Sequence, residues 1–286
     1  MTPEQKRELE KIACKVRLGV IDSTHAAKCG HPGGSLGAAD VLTYLYFKEL
    51  DIDPSAPKKE TRDRFVLSKG HNAPALYAAL AHRGFFPVED LLKLRKVGSY
   101  LQGHPNMEMV PGVDMSTGSL GQGVSAAAGM ALAGRVKGLN NRVYALLGDG
   151  EIQEGEVWES FMFAAHYRLD HLCVIIDNNG LQIDGDVAKV MSPYPIADKL
   201  RAFNFNVVEC DGHDFDALEA AFEAFHRNQG TGKPFGIVIK TVKGRGVSYM
   251  ENVADWHGKA PNDQEYQTAI DELRACLAGL EGEQDA

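Results

Sequence analysis

The chain has 286 residues, enough for one large domain or two small ones, and its 44% hydrophobic and 24% charged residues are those of an ordinary folded globular protein, not a disordered or fibrous one. Thirty Lys plus Arg against 39 Asp plus Glu give a formal charge of −9, so an extended phosphate backbone would meet net repulsion and nucleic acid is excluded as the main partner. No apolar stretch approaches the roughly 18 to 20 residues that span a bilayer, and Met1 to Glu10 is polar where a signal peptide would be apolar, so a soluble, cytoplasmic chain without a membrane partner is expected.

In chain order, residues 4–28 carry Leu9, Ile12, Ala13, Val16, Val20 and Ile21 at helical spacing, and the run Cys29 to Gly34 is expected to break that helix. A second helix is expected over 36–50, a strand over 64–68, a helix over 73–83 and an Ala/Gly-rich helix over 122–137. From residue 142 the pattern alternates: strand 143–147, helix 155–166, strand 172–177, helix 196–203, strand 206–210, helix 215–227 and strand 235–241. Such alternation requires crossovers and predicts an α/β fold, doubly wound, with a largely parallel sheet and helices on both faces. No repeat or linker marks a boundary, so 1–286 reads as a single domain with an acidic tail at 261–286 expected to be helical. The five cysteines, Cys14, Cys29, Cys173, Cys210 and Cys276, form no Cys-x-x-Cys pair and read as reduced thiols, with Cys173, in the apolar run Leu172 to Ile176, expected to be buried.

In sheets of this kind ligands bind at the carboxyl ends of the strands, which directs attention to the loops after Leu147, Asp177, Cys210 and Thr241. The first loop reads Gly148-Asp149-Gly150; the second reads Asp177-Asn178-Asn179-Gly180-Leu181. Either alone is an ordinary turn. Placed across one strand–helix–strand unit, they can bring the Asp149 carboxylate, the Asn179 amide oxygen and a neighbouring main-chain carbonyl into one half-shell of hard oxygen donors. That set suits Mg²⁺ completing its octahedron with phosphate oxygens and water. Five of the ten histidines, His31, His71, His104, His213 and His257, adjoin a glycine, and histidines on such loops can anchor phosphate or hydroxyl groups and handle protons.

The segments Lys28-Cys29-Gly30-His31-Pro32-Gly33, Asp63 to His71, Gly103-His104-Pro105, Thr117 to Gly123, Gly148 to Gly155, Thr241-Val242-Lys243-Gly244 and Trp256-His257-Gly258 resemble, in order and spacing, the N-terminal region of the transketolases, from about residue 10 to residue 260. The Gly-Asp-Gly and Asn-Asn pair is the cofactor motif of thiamine-diphosphate enzymes in general. The resemblance implies thiamine diphosphate as cofactor, with Mg²⁺ (or Ca²⁺ or Mn²⁺ in its place) held by Asp149, Asn179 and the carbonyl of Leu181. It implies that His71, His257 and Gly150, with Gly148, meet the diphosphate, that Gly118 and Leu120 line the aminopyrimidine side, and that His31, His104 and His257 act on the sugar. Ser119 stands where the family commonly has proline, which bears on the rigidity of that loop. Glu154 and Glu159 match acidic residues at the subunit interface of the family; a solvated helix face is the other reading of both.

Transketolases carry two further domains, and no motif here resembles them. The arginines that bind the donor phosphate in the family belong to that region as well. The resemblance therefore implies the diphosphate-side subunit of a split transketolase, which transfers a two-carbon ketol unit from a ketose phosphate to an aldose phosphate. It would need a second subunit with the pyrimidine-binding domain, in an expected heterotetramer. The alternatives are a component of another thiamine-diphosphate enzyme, resembling 1-deoxyxylulose-5-phosphate synthase or a 2-oxo-acid decarboxylase, and a non-catalytic cofactor-binding subunit. The Gly-His-Pro loops favour transketolase.

Overall fold

A computed structural model describes residues 1–282. Five parallel strands, β1 (Arg64–Leu67), β2 (Val143–Gly148), β3 (Leu172–Asn178), β6 (Asn206–Asp211) and β7 (Phe235–Lys240), form one sheet in the order β1-β2-β3-β7-β6. Two two-residue strands, β4 (Leu181–Gln182) and β5 (Gly185–Asp186), pair as a small antiparallel hairpin just beyond β3.

The strands alternate buried side chains between two helical layers, as a doubly covered sheet must. Tyr144, Leu146, Cys173, Ile175, Ile237 and Ile239 pack under α1 (Pro3–Ala27), α3 (Ala39–Tyr44), α4 (Ala73–Arg83), α9 (Phe215–Asn228) and α10 (Asp263–Gly282). Val143, Ala145, Leu147, Val174, Ile176 and Val238 pack under α5 (Gln122–Val136), α6 (Gly155–His166) and α8 (Ile196–Ala202). A short helix, α7 (Val187–Met191), follows the hairpin. The doubly wound parallel sheet expected from the sequence is thus present. No helix among the described residues is long and apolar enough to cross a membrane.

Helix α1 starts with a reciprocal cap: Thr2 Oγ1 accepts from the Gln5 amide at 3.2 Å, and the Gln5 side chain accepts from the Thr2 amide at 3.0 Å. It ends where Lys28 turns left-handed. The expected helix over 36–50 is corrected. A helix α2 already begins at Pro32 and runs to Gly37, α3 follows, and a single π turn closes the stretch at Leu45–Glu49. The fixed φ of Pro32 suits a first helical position, and the glycines that read as breakers are contact residues. A Cβ on Gly33 would lie 2.8 Å from the Trp256 carbonyl oxygen, and one on Gly37 would lie 2.8 Å from that of Val242, so α2 rests directly on the backbone of the loop after β7.

All five cysteines are free thiols and Cys173 is fully buried, but Cys14 on α1 and Cys276 on α10 are brought together with Sγ atoms 3.3 Å apart. Of the tail expected over 261–286, residues Asp263–Gly282 form helix α10 on α1, and positions 283–286 lie outside the described residues.

Candidate active site

The carboxyl ends of β2, β3 and β7 lie side by side, Gly148 opposite Asp177 and Asn178 opposite Lys240, so the loops that follow them are neighbours. Asp149 is 1% exposed, and its carboxylate is clamped by two amides: Gly150 N–H donates to Oδ1 at 2.9 Å and Gly180 N–H to Oδ2 at 2.6 Å. The first turn therefore holds the second through one side chain. Asn179 Oδ1 accepts from the Leu181 amide at 3.0 Å, and the Leu181 carbonyl accepts from Lys243 Nζ at 3.3 Å.

Asp149, Asn179 and Leu181 line one cavity of about 210 Å³ together with Gly148, Gly150, His71, His257, Leu120, Lys69 and Lys243. Burial and the neighbouring Asp177 push the Asp149 carboxyl up to about 6. A buried carboxylate, an amide oxygen and a peptide carbonyl, with lone pairs left beyond the bonds just given, make a donor set that fits a hard divalent cation. Beside the Leu181 carbonyl, burial and Lys69 lower the Lys243 ammonium to about 8. An ammonium pressed toward neutrality by desolvation regains its charge beside an anion, so this position fits a diphosphate.

Three histidines converge here. The ring centroids of His31 and His71 lie 5.4 Å apart, those of His31 and His257 5.5 Å, and those of His71 and His257 5.0 Å. Burial is the main cause that lowers His31 to about 4 and His257 to about 3, with nearby cations adding to it, and burial likewise drives His71 far below the usual range. All three rings are neutral at pH 7. His31 Nδ1 is buried without a hydrogen-bond partner among the described residues.

His104 is exposed beside this group, against Gly118, where an added Cβ would meet its ring at 3.1 Å. Gly118 in turn abuts Gly70, next to His71. Leu120 is 40% exposed at the rim and Ser119 is exposed. Glu154 lines the cavity mouth, whereas Glu159 lies further along α6, away from it; both are exposed. His213, another glycine-flanked histidine, turns inward: its Nδ1 faces Asp40 Oδ2 at 2.6 Å and its Nε2 accepts from the Val242 amide at 2.8 Å.

The sequence reading left four buried charges without a role. Lys243 binds both Leu181 and His257. Lys69 is ion-paired with Asp177, which also accepts from Thr241. Glu151 ties three segments, accepting from Ser68 Oγ at 2.5 Å and from the amides of Gly121 and Gly148 at 3.0 Å each. Lys69, Glu151, Asp177 and Lys243 all sit at strand ends in segments already singled out by their histidines and glycines, and that position was the available signal.

Residues 9–277 match the family described as transketolase, thiamine diphosphate binding domain. The chain is 44% identical over 270 residues to the 6-deoxy-6-sulfo-D-fructose transketolase subunit SqwG of Clostridium sp. (strain MSTE9), covering 94% of this chain and 98% of that one. It is 40% identical over 280 residues to an apulose-4-phosphate transketolase subunit of Phocaeicola vulgatus, covering 98% of both. Among solved structures it superposes on the transketolase of Campylobacter jejuni with a TM-score of 0.86 at 29% identity, covering 98% of this chain and 46% of that one. The chain thus spans nearly the whole of the two subunit relatives and about half of the longer enzyme.

Proposed function

Since the chain belongs to the transketolase family, through that family's thiamine diphosphate binding domain, we propose that it is the diphosphate-side subunit of a two-component transketolase. The complex transfers a two-carbon ketol unit from a ketose phosphate to an aldose phosphate. The observation that carries this reading is the shared cavity at the end of the sheet, lined by the oxygen donors Asp149, Asn179 and Leu181 together with Lys243, His71 and His257. When bound, thiamine diphosphate supplies the nucleophilic carbon and electron sink for cleaving the bond beside a ketose carbonyl.

The chain's own residues place and protect that chemistry. Asp149, Asn179 and the Leu181 carbonyl hold Mg²⁺, and the Gly150 amide, His71, His257 and Lys243 receive the diphosphate. Gly118 and Leu120 border the aminopyrimidine side. His31 and His104 bind sugar hydroxyls or exchange protons with them, and the neutrality of His31 at pH 7 lets its ring accept as well as donate. Glu154, at the mouth, and Glu159 belong to a subunit interface.

The partner, in this reading, carries the pyrimidine-binding domain, the assembly is a cytoplasmic heterotetramer, and residues 1–286 form one diphosphate-side domain. The names of the two subunit relatives, one for a sulfonated sugar and one for a sugar phosphate, support a substrate that carries an anionic group. The test is ketol transfer by the purified chain with thiamine diphosphate and Mg²⁺, alone and with the product of an adjacent reading frame. Transfer only with both chains is expected; full transfer by this chain alone would contradict the two-component assignment.

A further inference from the structure

Beside the histidines stands an arginine that the cofactor site does not use. Arg95 is exposed, yet its backbone is fixed: it adopts a left-handed φ of 57°, and its amide donates to the Leu101 carbonyl at 2.8 Å. Leu94, next to it, and Leu101, across from it, are fully buried, so the segment is nailed down on both sides. The side chain folds back over the loop that carries His104. A Cβ on Gly103 would fall 2.6 Å from Arg95 Cζ, so the guanidinium packs directly on the Gly103 backbone. From beneath, the hydroxyl of buried Tyr77 donates to the carbonyls of Gln102 and His104, at 3.0 Å each. The loop is held between a tyrosine and an arginine.

No carboxylate answers this guanidinium: among the described residues Arg95 makes no ion pair and no side-chain hydrogen bond, in a chain with nine more acidic than basic groups. Its charge is felt instead at His31 and His104, both of which it pushes down after burial has done so. Arginine presents a planar fork of donors that matches tetrahedral oxyanions, and leaving it unpaired beside a binding site favours an anionic ligand. Gly103 adjoins His104 in the chain, so a guanidinium packed on Gly103 lies next to the loop whose histidine meets the sugar.

We infer that Arg95 is a specificity residue of the substrate site, whose guanidinium receives the terminal oxyanion, phosphate or sulfonate, of the ketose whose reacting end His31 and His104 hold. This rests on the ketol-transfer reading above and adds to it an anion contact on this chain, where the family resemblance puts such contacts on the partner.

The experiment uses the complex of this chain with its partner subunit and three donors: D-fructose 6-phosphate, 6-deoxy-6-sulfo-D-fructose and the uncharged ketose erythrulose. The readout is the selectivity ratio, kcat/KM for each anionic donor divided by that for erythrulose. Arg95→Gln is expected to lower the ratio by about 10-fold for the anion the enzyme uses, through KM, in keeping with one partly exposed charge-assisted contact. Arg95→Lys should restore part of it, and Lys96→Gln, a neighbouring exposed charge, should leave the ratio unchanged. Comparing the phosphate and sulfonate arms tells which oxyanion is read. An unchanged ratio in Arg95→Gln, or an equal fall for erythrulose because the arginine pairs with the partner subunit, would overturn the inference. Failure of the wild-type complex to turn over any of the three would instead defeat the ketol-transfer reading itself.

Discussion

Lys243 Nζ lies 2.8 Å from His257 Nδ1, and this contact decides which face of the ring the site sees. With the lysine charged and donating, Nδ1 is the acceptor, so Nε2 carries the hydrogen and is the donor offered to a phosphate or sugar oxygen. The same ammonium, after burial, helps to hold His257 at about 3. Lys243→Met removes both effects. The His257 pKa should rise toward the ordinary histidine value, as followed by NMR titration of the ring protons, and thiamine diphosphate affinity should fall roughly 10- to 100-fold. An unmoved histidine titration would show that the lysine does not control the ring.

Beneath the cavity, Lys69 and Asp177 form an ion pair with both side chains almost fully buried, and Thr241 satisfies the second carboxylate oxygen. Lys69→Met strands a buried carboxylate and should destabilise the chain by about 3 to 5 kcal/mol, measured from urea unfolding midpoints. Lys69→Met combined with Asp177→Asn should recover much of that loss. A single variant within about 0.5 kcal/mol of wild type would contradict the account of the pair.

The three clustered histidines also set a pH dependence of stability. Their folded pKa values lie below the unfolded value of about 6.5, so as pH falls from 6.5 toward 4 the unfolded chain takes up protons that the folded chain refuses, and stability is lost in that window. Asp149, raised to about 6, works in the opposite direction, as do Glu151 and Glu10, which burial also raises, while His82 and His104, which burial lowers, add to the histidine effect. The unfolding midpoint of the isolated chain should therefore drop between pH 7 and pH 5. Replacing His31 and His257 by asparagine should flatten the drop. A wild-type slope in that double variant would contradict the assignment of buried neutral rings.

Much of this was legible in the sequence where a local pattern is the physical cause. From residue 142 onward each strand is a short apolar run and each helix an amphipathic one, so their alternation showed the parallel sheet, and the strand-end rule then pointed to Asp149 and Asn179. Around Pro32 the reading failed because Gly33 and Gly37 answer to the backbone at Trp256 and Val242, more than 200 residues away. Lys69, Glu151, Asp177 and Lys243 went unassigned for a similar reason: a charged residue in a loop reads as solvated until the fold shows it buried and paired. The hairpin β4–β5 is two residues per strand, below the length at which alternation is visible.

His104 separates the two halves of the proposed site. It stands outside the lining of the diphosphate cavity and is exposed, packed on Gly118. His104→Ala should lower kcat/KM of the assembled enzyme by about 100-fold, the scale of a lost proton-transfer or hydroxyl contact, while thiamine diphosphate affinity changes less than about 2-fold. Parallel loss of cofactor binding would place His104 in the cofactor site instead.

The joint grip of the Asp149 and Asn179 turns on a metal-linked diphosphate is measured most directly by isothermal titration calorimetry with thiamine diphosphate in the presence of the partner subunit. The prediction is uptake of one thiamine diphosphate per copy of this chain with Mg²⁺ present, loss of that uptake with excess chelator, and affinity at least about 100-fold weaker in Asp149→Asn. No uptake with Mg²⁺ and the partner both supplied, or undiminished uptake by Asp149→Asn, would contradict it.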